Sequence, residues 1–254
     1  MTTNPANGGF LLPWKKPVTA VATNAAAGYE VDYAFTKYPT QVFKTSTGST
    51  IIEMTFEANA APKGIALINH NLTENASIVL RTYSDAFVTF IMNRTIPFNS
   101  KNTCLVFDDN DSIYLKLVIS DTSLTEIQIG AIFTGGTFQF PFNFKWGLTI
   151  EGTVMKQVDT STEGFHFETP DEESTSPIYK YRKFALSFND IEHKYFDSFF
   201  NLLMPGPKVF IPSFTKSDCA LGIVPDRVLS NKKNRTGDEY GLSFLEYAQG
   251  VTIE

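Results

Sequence analysis

The sequence predicts a mainly β protein in two parts: an N-terminal β-sandwich, and a second β-rich domain carrying one amphipathic helix. Three observations carry this. Short stretches alternate apolar and polar residues along most of the chain, the period of a strand with one dry face. Phe and Tyr are abundant, 23 and 10 of 254 residues, and aromatic residues favour sheet. Only one segment shows apolar residues at helical spacing with start and stop signals.

The clearest strand is Ile65-Ala66-Leu67-Ile68 within KGIALINHNL, residues 63–72. Opened by Pro62 and Gly64 and closed by Asn69-His70-Asn71, so short an apolar run reads as a strand covered on both faces. Before it, residues 1–19 form a Pro/Gly/Asn-rich lead-in with Trp14, an extended arm that either straps its own domain or docks on a neighbour. Residues 20–135 read as the sandwich. Ile52, Met54 and Phe56 alternate with Glu53, Thr55 and Glu57; Ser77–Thr82 and Phe87–Met92 are further strands; Ile113, Leu115, Leu117 and Ile119 share a face; Ile127 and Ile129 continue the series.

Residues 136–147 are set apart as an aromatic linker, where Phe138, Phe140, Phe142, Phe144 and Trp146 recur at every second position. Pro141 bars an ordinary central strand there. The aromatics either fill a crease between domains or meet another chain, since exposed apolar patches mark interfaces. Residues 148–254 form the second domain, with strands at 148–158, 165–168, 179–188, 208–211, 220–224 and 240–247, and polar loops at 170–177 and 230–238. Its helix spans 189–203: Asn189 and Glu192 have capping-box spacing, Asp190 sits near the positive dipole end, and Ile191, Tyr195, Phe196, Phe199, Leu202 and Leu203 make the apolar face. Met204-Pro205-Gly206-Pro207 stops it.

Composition narrows function more than it assigns it. A net charge of −6 lacks the basic footprint of a nucleic-acid binder. Apolar runs fall short of the ~20 residues that span a bilayer, so membrane insertion is not expected. The opening MTTNPANGGFLLPWKKP has no basic n-region and does not read as a signal peptide. The N-x-S/T sequons at Asn71, Asn75, Asn93 and Asn234 are then chance matches. Cys104 and Cys219 read as buried free thiols, with a disulfide as the alternative.

No G-x-S-x-G, H-E-x-x-H, CxxC pair or P-loop occurs, so no catalytic residue, metal ligand or cofactor is assigned and an enzyme is not expected. Two facing carboxylates of a glycosidase, among 27 acidic residues, stay open. Of the histidines, His193 lies in the expected helix and His166 between Phe165 and Phe167. His70, ending its strand beside Asn71, best suits a polar site, although a strand-end histidine more commonly braces a turn. His70 and Asn71 are therefore the candidate polar loop. Asp108-Asp109-Asn110-Asp111 reads as a solvated turn, with a calcium loop as the minority alternative because EF-hand spacing is absent.

Two resemblances add to this. The order Asn24–Asp32, Thr50–Phe56, GIALINHNL, SIYLKLVIS and EIQIGAIFTG, ending in Ile129-Gly130, resembles the galactose-binding-like (discoidin-like) jelly-roll sandwich over residues 20–135. That resemblance implies a jelly roll whose end loops bind glycans in many members and are structural in others. The unit RKFALSFNDIEHKYFDSFFNLLMPGPKVFIPS, with its Phe210-Ile211-Pro212 step, resembles the C-terminal part of small tail and tail-tip proteins of tailed bacteriophages. It implies a virion structural subunit made in the host cytoplasm and working by assembly with other virion proteins, as a homo-oligomer or ring. Trp14, Phe138, Phe140, Phe142, Phe144 and Trp146 would be its interface. The alternative, implied by the first resemblance, is a glycan-binding module contributing to host-surface attachment, with His70 and Asn71 as its glycan loop.

Overall fold

The computed structural model describes residues 8–36, 41–100, 102–107, 109–140, 149–155, 158–160, 166–168, 179–191, 206–214, 216–224, 228–232 and 238–246. The chain divides into two compact units, Met1–Asn143 with Met204–Gly222, and Phe144–Leu203 with Ile223–Glu254. In chain order the strands are β1 (Gly9–Trp14), β2 (Thr19–Ala22), β3 (Phe43–Lys44), β4 (Ser49–Thr55), β5 (Gly64–His70), β6 (Ser77–Tyr83), β7 (Phe90–Thr95), β8 (Asn102–Val106), β9 (Tyr114–Ser120) and β10 (Gln128–Gln139). They continue as β11 (Thr149–Met155), β12 (Val158–Thr160), β13 (His166–Glu168), β14 (Tyr179–Ile191), β15 (Lys208–Ile211), β16 (Ala220–Ile223), β17 (Val228–Lys232) and β18 (Asp238–Glu246).

The first unit is a sandwich. One sheet runs β2-β4-β9-β6-β7 and the other β16-β15-β1-β10-β5-β8, with β3 beside the start of β10; all the pairings are antiparallel. From β2 to β10 the chain changes sheet at every step except the β6–β7 hairpin, which is the winding of a jelly roll. The expected architecture of residues 20–135 is therefore present.

Alternation decides which side chains meet. Ile52 and Met54 on β4, Ile78 and Leu80 on β6, and Leu115, Leu117 and Ile119 on β9 face Ile65 and Leu67 on β5 and Ile129 and Ile132 on β10. Val31, Ala34 and Phe35, from a single 3-10 turn, and Phe43 and Phe107 close the ends. Each fully buried aliphatic side chain contributes about 1.5–3 kcal/mol. The alternate residues of β5, Ala66 and Ile68, are buried as well, so both faces of this strand are covered. On its far side the segment around Ser217–Cys219 lies along β8, where Cys104 N–H donates to Ser217 O at 3.2 Å and Asn102 Nδ2 to Cys219 O at 3.1 Å. Cys104 and Cys219 are buried free thiols.

Several boundaries differ from those expected. Within the N-terminal lead-in, β1 is part of the sheet itself, between β10 and β15, with Phe10 paired to Phe138 on one side and Phe210 on the other. β10 runs through Gly135-Gly136 as one strand, so the sandwich does not end at 135. Gly135 suits this crossing, because a Cβ there would come within 2.9 Å of Pro13 O. Phe140, 1% exposed, packs edge-on to Phe10 at 5.6 Å, and the aromatic stretch up to that point belongs to the first unit. β15 returns to the same sheet, which makes the domain boundary discontinuous. Sequence order hides such a return, since strands far apart in the chain carry no local mark of pairing.

In the second unit β14 pairs β11 and β18, β18 also pairs β17, and β12 pairs β13 as a separate ribbon. The expected helix start is corrected. Asn189, Asp190 and Ile191 belong to β14, with Phe188 opposite Tyr240 and Ile191 opposite Asp238 across a register shift. Sheet pairing overrides a capping pattern, which is local and weak. The remainder of that helix, residues 192–203, lies outside the described residues, as do Phe142, Phe144 and Trp146.

Candidate functional site

Antiparallel winding brings three connections together at one end of the sandwich: residues 56–63 after β4, the β6–β7 hairpin, and residues 107–113 after β8. Each is held from within. Phe56 N–H donates to Ile113 O at 2.9 Å and Phe107 N–H to Lys63 O at 2.8 Å. The buried Asn110 side chain donates to Pro62 O at 2.9 Å and Ser112 O at 3.0 Å, while its oxygen accepts from Ser112 N–H at 3.2 Å. Ser112 Oγ donates to Tyr83 O and accepts from Tyr114 N–H at 3.0 Å, tying two strands at their mouth. Lys63 Nζ reaches Asn110 O at 2.5 Å and Asp111 Oδ1 at 3.0 Å. In the hairpin, Asp85 accepts from Thr89 N–H at 2.7 Å. Asn59 takes a left-handed turn at φ 68°, which asparagine tolerates.

Between these loops lies an open cleft of about 690 Å³. Its walls supply three kinds of chemistry. Arg94 Nη2 donates to Asp109 Oδ1 at 2.8 Å; the arginine side chain is 15% exposed and the carboxylate 67%. Arg94 stands over the Phe107 ring, 5.5 Å from its centroid, and its Nη1 is buried without an acceptor. Asn59, Ser84 and Asp111 add polar groups at the rim, and Tyr114, Ile91 and Met92 give an apolar wall. Tyr114 is braced by Phe87 at 5.7 Å, edge to face. A donor-acceptor pair fixed beside an aromatic ring suits a ligand with hydroxyl groups on one edge and C–H groups on the other.

The residues expected from sequence fall elsewhere. His70 and Asn71 lie at the opposite end of the sandwich. His70 is 8% exposed, 6.2 Å from the Phe98 ring, and neither ring nitrogen has a well-formed hydrogen bond. Burial lowers its pKa to about 4, the Asn99 backbone pulling weakly the other way. Asn71 binds the start of β10: its Nδ2 donates to Glu126 O at 3.1 Å and its Oδ1 accepts from Gln128 N–H at 2.8 Å. Trp14 stacks on Phe133 at 5.4 Å with Lys16 Nζ 4.8 Å from its ring, half-buried in its own unit. Phe138 packs on Phe140 at 5.8 Å. His166 lies on β13, and His193 is outside the described residues.

Among the described residues no group of three or more His, Cys, Asp or Glu converges as metal ligands do. Asp109, Asn110 and Asp111, the described part of the acidic turn, instead divide between Arg94, the loop backbone and Lys63. Sequence reasoning passed over Arg94 and Tyr114 because one sat in a sequon and the other in an ordinary alternating strand. The acidic turn was the one available signal.

No protein-family model and no curated protein sequence matches the chain. Among solved structures, it is similar to a chitosan-binding module from a chitosanase/glucanase of Paenibacillus sp. IK-5, at 16% identity over 50% of this chain and 99% of that one, with a TM-score of 0.39. A fucose binding module of Streptococcus pneumoniae matches at 11% identity over 49% and 95%, TM-score 0.41. A family 32 carbohydrate-binding module of C. perfringens, in complex with galactose, matches at 14% over 46% and 91%, TM-score 0.38. At such identities and scores, the functional reading rests on this chain's own residues.

Proposed function

We propose that the first unit is a glycan-binding module that holds a sugar residue in the end cleft and contributes to attachment at a host surface. One observation carries the reading: the Arg94–Asp109 pair, 2.8 Å apart, stands in a cleft that Tyr114 also lines, between loops already locked by hydrogen bonds. Asp109 would accept from a sugar hydroxyl, Asn59 and Ser84 would serve neighbouring hydroxyls, and Tyr114 with Met92 would take the C–H face. Preformed loops lower the ordering cost of binding. The role needs no cofactor and no turnover. It is tested by a glycan array followed by calorimetry on the full chain. A ligand whose affinity falls tenfold or more in both Asp109→Ala and Tyr114→Ala supports it; absence of any ligand, or one indifferent to both changes, removes it.

A second reading, a structural subunit of a tailed-phage particle in the tail or tail tip, is favoured by apolar side chains left exposed on a sheet edge, Phe90, Ile91 and Met92. It places the protein in the virion, made in the host cytoplasm, with other virion proteins as partners. Mass spectrometry of purified particles decides it. The two readings are compatible, since a sandwich can be assembled through an edge and bind through an end.

A further inference from the structure

Apolar exposure on the sandwich is concentrated. Val18, Val21, Val88, Phe90, Ile91 and Met92 are six of the nine large hydrophobic residues exposed among those described. The first two belong to the β2 side and the other four to the β7 side, the two edges of the same five-stranded sheet. Sheet edges are normally protected by lysine, proline, a bulge, an inward-pointing charge or a covering segment. Neither β2 (Thr-Ala-Val-Ala) nor β7 (Phe-Ile-Met-Asn-Arg-Thr) contains Lys or Pro, and Arg94 is engaged by Asp109. At the register shift opposite Thr82/Tyr83, Ile91 is the extra residue, and it is half exposed.

We propose that this sheet continues into a second copy of the chain, with β7 of one molecule pairing parallel to β2 of the next. Polarity allows it. β2 is antiparallel to β4, β4 to β9, β9 to β6 and β6 to β7, so β2 and β7 run the same way and an identical copy can be added by displacement without inversion. Faces match too. Ala20 and Ala22 pack on the core, which turns Val21 to the outer face of the sheet; Phe90, opposite the outward Tyr83, lies on that same face.

Charge selects the partner. Lys16 stands five residues before Val21 and Asp85 five before Phe90, both exposed. Setting Val21 beside Phe90 in parallel brings these opposite charges to the same end of the junction. A foreign strand would have to reproduce both the valine and the lysine, whereas a second copy already has them. The contact is heterologous, so repetition gives a ring or a linear array rather than an isolated dimer.

The test uses the full chain in analytical ultracentrifugation across a wide concentration range, with Val21→Lys and Phe90→Lys. The expected result is concentration-dependent association of the wild type, weakened roughly tenfold or more by either change. Each variant keeps one intact edge, so mixing the two should yield a one-to-one dimer that neither forms alone. Thermal melting confirms folding, and Val88→Lys, at an exposed residue of the same edge outside the cleft lining, replaces Phe90→Lys if the latter melts early. A monomeric wild type, a variant that associates normally, or a mixture that stays monomeric overturns the proposal. Glycan binding by the monomeric variants separates this surface from the cleft.

Discussion

The two ends of the sandwich are built from similar residues and come to opposite results. At the end carrying His70, the polar side chains around that histidine are engaged largely by the backbone. Asn71 bridges Glu126 and Gln128, and the Asp121 carboxylate accepts from Thr73 N–H at 2.7 Å and Ser123 N–H at 2.9 Å. Burial by itself would raise the Asp121 carboxyl, but the Thr73 and Ser123 hydrogen bonds outweigh it and hold its pKa below the usual range. At the other end Asn110, Ser112 and Lys63 do the equivalent binding of loops, and Arg94, Asp109, Asn59 and Tyr114 are left over around an open cleft. A site is visible here as the polar groups that remain after the loops have been satisfied, because buried polar groups are otherwise paired.

Substitutions should separate structural from binding residues in order of size. Phe140→Ser, which empties a site against Phe10 within the first unit, should cost about 3–5 kcal/mol and be read in chemical denaturation. If it instead left stability intact and impaired only association, the aromatic stretch would return to the interface reading.

The next effect follows from His70. Its pKa is depressed from 6.5 to about 4 in the folded protein. The unfolded chain therefore takes up a proton below pH 6.5 that the native chain refuses. This contribution is fully present above pH 6.5 and declines as pH falls to about 4, a loss of about 3 kcal/mol. Urea titrations at stepped pH should show that slope in the wild type and lack it in His70→Gln. Asn71→Ala, which leaves the Gln128 N–H without its partner, should cost about 1–3 kcal/mol and leave cleft binding unchanged.

Much of the sandwich was legible in the sequence because its strands alternate cleanly: Ile52, Met54, Leu115, Leu117 and Ile119 were placed on the dry face from period alone. The covered strand at Ile65–Ile68 was legible from its uninterrupted apolar run. What was not legible depends on distance along the chain. Nothing near Gly9 announces Phe210 as a neighbour, and nothing at Lys208 announces return to the first unit. The helix signal at Asn189 was a true local preference that pairing with β18 overrode as far as Ile191. For the site, a strand-end histidine beside asparagines resembled a polar pocket, yet the Asn71 side chain braces the start of β10. Arg94 and Asp109, fifteen residues apart, meet only because β7 and the loop after β8 end at the same rim.

The central claim is that polar residues at the cleft end bind ligand while those at the far end hold the fold, and one paired measurement tests it most directly. Asp109→Ala and Asn71→Ala are each titrated with the best glycan from an array and unfolded in urea. Asp109→Ala should lose at least about 1.4 kcal/mol of binding, a factor of ten, with a stability cost of no more than about 1 kcal/mol from the partly exposed ion pair it breaks. Asn71→Ala should show the reverse. Binding that falls in Asn71→Ala while Asp109→Ala binds normally would contradict the assignment and move the site to the His70 end.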